Sequence, residues 1–241
     1  MKTILISGAS RGIGRGIALA LKDRNYHFVI TCKEHEELLN EVKEELERCG
    51  RTCTTFVGDL SDHKTIIKFF KYLEYLQIRV DILVNNVGIS HIGLLQDMKT
   101  TQWNNIVSTN LTTVFSLCKR VIPMMLHNGG GKIINISSVW GLVGASCEVA
   151  YSTTKGGINA FTKALAKEVA PSNIQVNAIA CGLIDTEMND FLSEEDKETL
   201  FEEIPAGRMG TAEEVGEFVT RLIDSPDYLT GQVIALDGGW I

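Results

Sequence analysis

The sequence predicts an α/β fold, a Rossmann-like doubly wound parallel sheet in a single domain. Three observations carry that expectation. Short β-branched runs alternate with amphipathic stretches along the chain, the mark of βαβ units. A glycine cluster from Gly8 to Gly14 falls between the first such run and the first helical stretch. The hydrophobic fraction, 44% of 241 residues, is enough for one continuous core.

The elements follow in order. Residues 3–7 read as the first strand, and the helix after the glycine turn runs through residues 17–21. A second strand over 27–32 leads to a charged helix over 34–48. The third strand, 52–57, ends at Gly58-Asp59, and a helix rich in Phe, Tyr and Leu then delivers the chain to a strand over 80–84. Residues 103–126 are mostly helical and stop at three glycines, 129–131, since glycine takes the left-handed conformation past a helix end without steric cost. There follow a strand over 132–136, a helix over 151–169 and a strand over 174–179. An acidic helical segment over 193–203, a helix after Thr211 and a strand over 232–236 close the chain. No repeat, low-complexity tract or linker divides residues 1–241. One domain is expected.

Composition narrows the partners. The net charge of −7 suits no phosphate backbone, so nucleic acid is not expected. The apolar run before Gly8 is too short for a secretory signal, and no segment has the length to cross a bilayer. Six cysteines, at 32, 49, 53, 118, 147 and 181, form no CxxC pair and no metal-like spacing with histidine. They read as reduced thiols of a cytoplasmic protein without membrane association or a metal site.

Gly8, Ser10, Arg11, Gly12, Ile13 and Gly14 sit where a strand hands over to a helix. Glycines there let backbone approach a pyrophosphate, and the helix N-terminus offers N–H donors. A plain strand-to-helix turn would use the same residues. At the end of the third strand Asp59, followed by Leu60, could accept from an adenine amino group, or serve as a turn residue. Asn86, Val87 and Gly88 end the fourth strand on the same sheet edge.

The second strand ends in Thr31-Cys32-Lys33, without the acid that holds a ribose diol in NAD enzymes. Lys33 and Arg11 supply positive charge for a 2′-phosphate, so NADPH is expected over NADH. Glu34 is the counter-evidence, and reads as the first turn of the next helix, where a carboxylate suits the dipole.

Tyr151 and Lys155 lie four residues apart, on one face of a helix. A neighbouring ammonium and an oxidised nicotinamide would favour the phenolate and lower its pKa. Ser138 follows the strand over 132–136 and could hold a substrate oxygen beside Tyr151. Asn110, midway along the long helix, could anchor a water that links Lys155 to solvent.

With these residues in place, the chain resembles the short-chain dehydrogenase/reductase family over essentially its full length. The glycine turn matches TGxxxGIG with Ser7 for Thr, and Asn85-Asn86-Val87-Gly88 matches NNAG with Val87 for Ala. Asn110, Ser138, Tyr151 and Lys155 match the catalytic tetrad in order and spacing. The resemblance implies about seven strands, a dinucleotide-binding part over about residues 1–90 and a catalytic and substrate part over about 91–241. It also implies a homotetramer built through the long helices and the last strand. Tyr151 would exchange the proton, Ser138 would stabilise the substrate oxygen, Lys155 would bind the nicotinamide ribose, and Asn110 would support a proton relay. Gly182, Ile184 and Thr186 match the segment that holds the nicotinamide carboxamide. Cys181 stands where the family has proline, a loss expected to loosen that loop.

The match is close to the 3-oxoacyl-[acyl-carrier-protein] reductases of bacterial fatty acid biosynthesis. Those enzymes dock an acidic carrier through arginines whose positions here hold Gly129 and Ser172. The run from Ser138 to Val149, with Trp140 and Glu148, resembles reductases acting on 5-aminopentanone-modified elongation factor P. Trp140 and Glu148 thus become candidate substrate contacts. Glu148 could face the amine of such a substrate, or be a solvated loop acid. The acidic segment over 188–203 could be a lid or an ordinary surface helix. A carbonyl substrate, free or carried on a protein, is therefore expected. A dinucleotide-binding protein without turnover is the alternative of another class.

Overall fold

The β-branched runs become strands of one sheet in a computed structural model that describes all 241 residues. They are β1 (Lys2–Ile6), β2 (Tyr26–Cys32), β3 (Thr52–Val57), β4 (Ile82–Asn85), β5 (Gly131–Ser138), β6 (Ile174–Cys181) and β7 (Val233–Leu236). The order is β3-β2-β1-β4-β5-β6-β7, and every pair is parallel. The chain winds outward from β1 to β3, returns to place β4 beside β1, then winds out the other way. The reversal between β1 and β4 opens a crevice at the carboxyl ends of the strands, where ligands of such sheets bind.

Helices cover both faces, so the strands are buried on both sides and read as near-continuous apolar runs. The strand period of two sorts them: Ile4, Ile6, Phe28 and Ile30 pack on one face, Leu5 and Val29 on the other. The first face is covered by α1 (Gly12–Ala20), α2 (Glu36–Arg48) and α9 (Ala212–Ile223) through Ile17, Leu39 and Val215. The second is covered by α3 (His63–Tyr75), α5 (Thr113–Asn128) and α7 (Val149–Val169) through Phe69, Leu117 and Ile158. Local chemistry starts these helices where the polar residues say it should. Asp62 caps α3 by accepting from Thr65 N at 2.7 Å, and Thr211 with Glu214 forms a capping box at α9.

Three expectations are corrected. Residues 103–126 are not one helix: α4 (Thr100–Val107) and α5 are joined by a π-helical turn, Ser108–Thr112. The hydroxyls of Thr112 and Thr113 donate to the carbonyls of Val107 and Ser108, each five residues back, at 3.4 and 3.2 Å. These bonds serve carbonyls where the α ladder widens by one residue. Asn110 therefore lies in a bulge rather than in regular helix.

Glu34 is not in the first turn of α2. The helix begins at Glu36; Glu34 stands in the preceding turn, where its carbonyl accepts from Glu36 N at 3.0 Å. The third correction concerns strand ends. β5 includes Ser138 and β6 includes Cys181, and the two residues pair with each other in register. Cys181 also pairs with Leu236 on β7, so it lies within the sheet rather than in a loop.

Two short helices complete the chain: α6 (Trp140–Val143) after β5, and α8 (Glu194–Glu203) before α9. α8 buries none of its residues. No helix is long and apolar enough to cross a membrane.

Candidate active site

The first piece of the site is the glycine turn between β1 and α1. Gly8 and Gly12 adopt φ of +70° and +52°, a conformation that costs glycine nothing. Gly14 has a different reason: a Cβ there would lie 2.0 Å from the Gly8 carbonyl oxygen. Asn86 ties this turn to β4 by donating to the carbonyls of Ser7 and Gly8 at 3.1 and 2.9 Å. The Ser7 hydroxyl accepts from Asn86 N at 3.0 Å and Val87 N at 3.3 Å. The hydroxyl is what the family's threonine would supply, so the replacement keeps the bond.

No side chain caps the N-terminus of α1, which leaves N–H donors for a ligand. A cleft of about 560 Å³ opens there, lined by Ser10, Arg11 and Gly12 on one side and Asp185, Thr186 and Glu187 on the other. Uncapped donors facing a cleft fit a pyrophosphate. Ile13 packs half-buried against the core below.

Just past the ends of β2 and β3 the structure joins two residues that the sequence left apart. Lys33 Nζ lies 3.0 Å from Asp59 Oδ2, and 3.7 Å from Glu34. Asp59 Oδ1 also accepts from Ser61 N at 2.9 Å and Ser61 Oγ at 2.6 Å. Burial pushes the Asp59 carboxyl up, but the bonds from Ser61 and Lys33 outweigh it and hold it below its ordinary value. The hydrogen bond from Lys33 to Asp59 raises the ammonium. Lys33 is therefore a shared cation, while Arg11 is exposed and outside any ion pair. Leu60 is buried beside them.

The second piece lies across β4, β5 and β6. On α7, Lys155 Nζ stands 5.6 Å from the centre of the Tyr151 ring. Lys155 is only 4% exposed and donates to the Ile136 carbonyl at 2.8 Å. Burial brings its ammonium down to about 8, against the opposing pull of Cys181. At Tyr151 burial raises the phenol, hydrogen bonding with Ser138 draws it down, and Cys181 and Glu148 add to the rise. Desolvation is the largest of these effects, and it leaves the phenol above its ordinary value.

Ser138, at the tip of β5, accepts from Trp140 N at 3.2 Å, which leaves its own proton to donate. Asn110 accepts from Ile89 N at 2.8 Å and donates to Ile89 O at 2.9 Å and Thr154 Oγ1 at 3.1 Å. The π turn thus aims Asn110 at the segment after Gly88.

Such an arrangement is chemically suited to proton transfer. The family model described as short chain dehydrogenase matches residues 2–197. The chain belongs to the short-chain dehydrogenase family. Among its relatives is the 3-oxoacyl-[acyl-carrier-protein] reductase FabG of Staphylococcus aureus, 37% identical over 99% of this chain and 97% of that one. FabG of Aquifex aeolicus is 39% identical, over 99% and 96%. The oxidoreductase YmfI of Bacillus subtilis is 36% identical over 99% and 98%. A crystal structure of a candidate gluconate dehydrogenase from Agrobacterium tumefaciens superposes with a TM-score of 0.95, at 32% identity over 99% and 95%.

In this short-chain dehydrogenase the segment after β6 comes back over the glycine turn. Gly182 N donates to Leu236 O at 2.9 Å, Ile184 is buried, and a Cβ on Gly12 would lie 3.4 Å from Thr186. At the start of α7 Glu148 is half-buried, and Ser90 Oγ donates to its carboxylate at 2.8 Å. A bonded acid at the start of α7 differs from a solvated loop acid.

Sequence reasoning missed Ser90, and it missed Trp240, whose ring packs on Trp140 with centroids 4.8 Å apart. Neither residue belongs to a spaced motif. Cys181 was noticed only as a missing proline, yet its buried thiol is close enough to influence both Tyr151 and Lys155.

Proposed function

We propose that this oxidoreductase reduces a ketone to an alcohol with NADPH, through Tyr151, Ser138, Lys155 and Asn110. The observation that carries this is the gathering of those four side chains at the carboxyl rim of the sheet, beside an uncapped helix start. NADPH, when bound, supplies the hydride to the carbonyl carbon. Ser138 donates a hydrogen bond to the carbonyl oxygen, and the Tyr151 phenol gives that oxygen its proton. The raised phenol pKa suits this direction, since it keeps the proton on Tyr151 until the oxygen becomes basic. Lys155 holds the ribose and Asn110 keeps the path to solvent.

The cofactor would lie along Gly8, Ser10, Arg11, Gly12, Ile13 and Gly14, with Asp59, Leu60, Asn86, Val87 and Gly88 toward the adenosine and Gly182, Ile184 and Thr186 at the nicotinamide. NADPH rather than NADH is supported by Arg11 and Lys33 and by the absence of an acid at the end of β2. The relatives named as 3-oxoacyl-[acyl-carrier-protein] reductases support a 3-oxoacyl thioester as substrate. We propose a cytoplasmic homotetramer. The unpaired outer edge of β7, and Phe115 and Leu126 exposed on α5, support assembly.

One observation favours a second substrate. Glu148 carries a carboxylate, held by Ser90, close enough to Tyr151 to raise its phenol. That placement suits an amine on the substrate, as in 5-aminopentanone on elongation factor P. The deciding experiment compares acetoacetyl-carrier protein with the modified factor, following NADPH oxidation. Turnover of the carrier substrate alone, unchanged by Glu148→Gln, eliminates the amine reading. No NADPH oxidation with any ketone would defeat the reductase reading itself.

A further inference from the structure

The chain turns sharply after β5. Ser138 ends the strand, and the single helical turn α6 begins at Trp140, whose N–H donates to Ser138 Oγ at 3.2 Å. One helical turn does not hold itself in water, so its direction is set by what it packs against. From below, α7 holds it: Asn159 Nδ2 donates to Gly141 O at 2.9 Å, and a Cβ on Gly141 would lie 2.6 Å from the Lys155 backbone. From the open side it is held by the Trp240 ring, 4.8 Å from that of Trp140 and tilted by 60°.

Trp240 lies in a tail that is itself fixed. The Asp237 carboxylate accepts from Gly239 N at 3.0 Å and Ile241 N at 3.2 Å. Gly238 O accepts from Ala206 N at 3.1 Å, and a Cβ on Gly238 would meet Ala206 and Ile204 at 2.9 and 3.0 Å. At the tail's root, Gly182 packs on Asp237 so closely that a Cβ would lie 2.7 Å from its Cα. The tail thus touches the Trp140 turn, the segment after β6 and the residues that follow α8.

We propose that Trp240 is a positioning residue of the reductase site, acting through Trp140 to set where the Ser138 hydroxyl points. The inference rests on the function proposed above. The N–H of Trp140 fixes the acceptor side of Ser138, and hence the direction left for its proton. A ring that stops Trp140 from swinging outward keeps that direction constant. Neither tryptophan lines the cleft beside Arg11 and Gly12, so nucleotide binding should not feel the loss of this contact.

The test uses the full chain with Trp240→Ala, Trp240→Phe, Trp140→Ala and the Trp140→Ala/Trp240→Ala double variant. The first readout is amide hydrogen exchange without substrate. Trp240→Ala should speed exchange at residues 139–144 by about tenfold or more while β1 and β4 are unchanged, and Trp240→Phe should restore most of the protection. The second is steady-state reduction of an acetoacetyl thioester. Trp240→Ala should lower kcat about ten- to a hundredfold, the scale of a small misplacement, with the KM for NADPH unchanged. The double variant should be no worse than the worse single one, because both act through one contact. Unchanged exchange at 139–144, a rise spread evenly over the chain, or additive kinetic losses would each overturn the proposal. If the wild-type chain reduces no ketone, the proposed function fails, and the exchange measurement still decides whether Trp240 holds the turn.

Discussion

The ammonium of Lys155 and the amide oxygen of Asn110 flank a single point: a Cβ placed on Gly88 would lie 3.5 Å from the first and 3.7 Å from the second. Both groups have hydrogen-bond partners within the chain. Lys155 bonds the Ile136 carbonyl, and Asn110 bonds both backbone groups of Ile89. The side chain that would serve a proton relay also shapes the wall of the crevice.

Asn110→Ala should therefore cost stability as well as turnover. It leaves the N–H and C=O of Ile89 without their partner, and two such bonds contribute about 2 kcal/mol together. Urea denaturation should show a lower midpoint with an unchanged slope. A variant as stable as the wild type would mean that Ile89 finds other partners.

Lys155 makes stability depend on pH. Its ammonium falls from the ordinary 10.5 to about 8 on folding. Between those values the unfolded chain carries a proton that the folded chain has shed, so this group raises stability as pH climbs through that window. Below a pH of about 8 the buried charge costs its full amount, about 3 kcal/mol. Lys155→Met should abolish reduction yet raise the melting temperature at pH 7, with the gap to the wild type closing by pH 10.5. A variant that melts lower at neutral pH would show that the ammonium is not the costly species.

Tyr151→Phe separates chemistry from binding. Loss of a positioned proton donor should lower kcat by at least about a hundredfold, while NADPH still quenches protein fluorescence with a similar Kd. Retained turnover would remove Tyr151 from the proposed mechanism.

The two cations should not be equivalent toward the 2′-phosphate. Arg11 is outside any ion pair, whereas Lys33 is already shared with Asp59. Arg11→Ala should weaken NADPH about tenfold, the loss of one charge-assisted bond, and leave NADH untouched. Lys33→Ala should do less, because binding through Lys33 competes with Asp59. Equal losses for NADH and NADPH in Arg11→Ala would point to the pyrophosphate instead.

Much of this was legible beforehand, though unevenly. The glycine turn, the strand edge at Asn86 and the Tyr151–Lys155 spacing are local patterns, and the structure places them together. A carboxylate before a helix looks the same in sequence whether it opens the helix, as expected of Glu34, or stands ahead of it beside Lys33. A π turn keeps the helical pattern while adding one residue to it, so sequence alone puts Asn110 in regular helix. A spacing of four residues reveals the lysine beside Tyr151 but not that burial of the phenol itself pushes its pKa upward.

Composition and periodicity alone determined the alternation of strands and helices, the position of the phosphate-sized turn and the shared helix face of Tyr151 and Lys155. Each depends on residues within a few positions of one another. The tertiary structure decided that Ser138 pairs with Cys181, that Ser90 bonds Glu148, and that Trp240 rests on Trp140. Those neighbours are far apart along the chain. Strand order and register bring them together, and no local spacing encodes a contact that exists only once the whole sheet has closed.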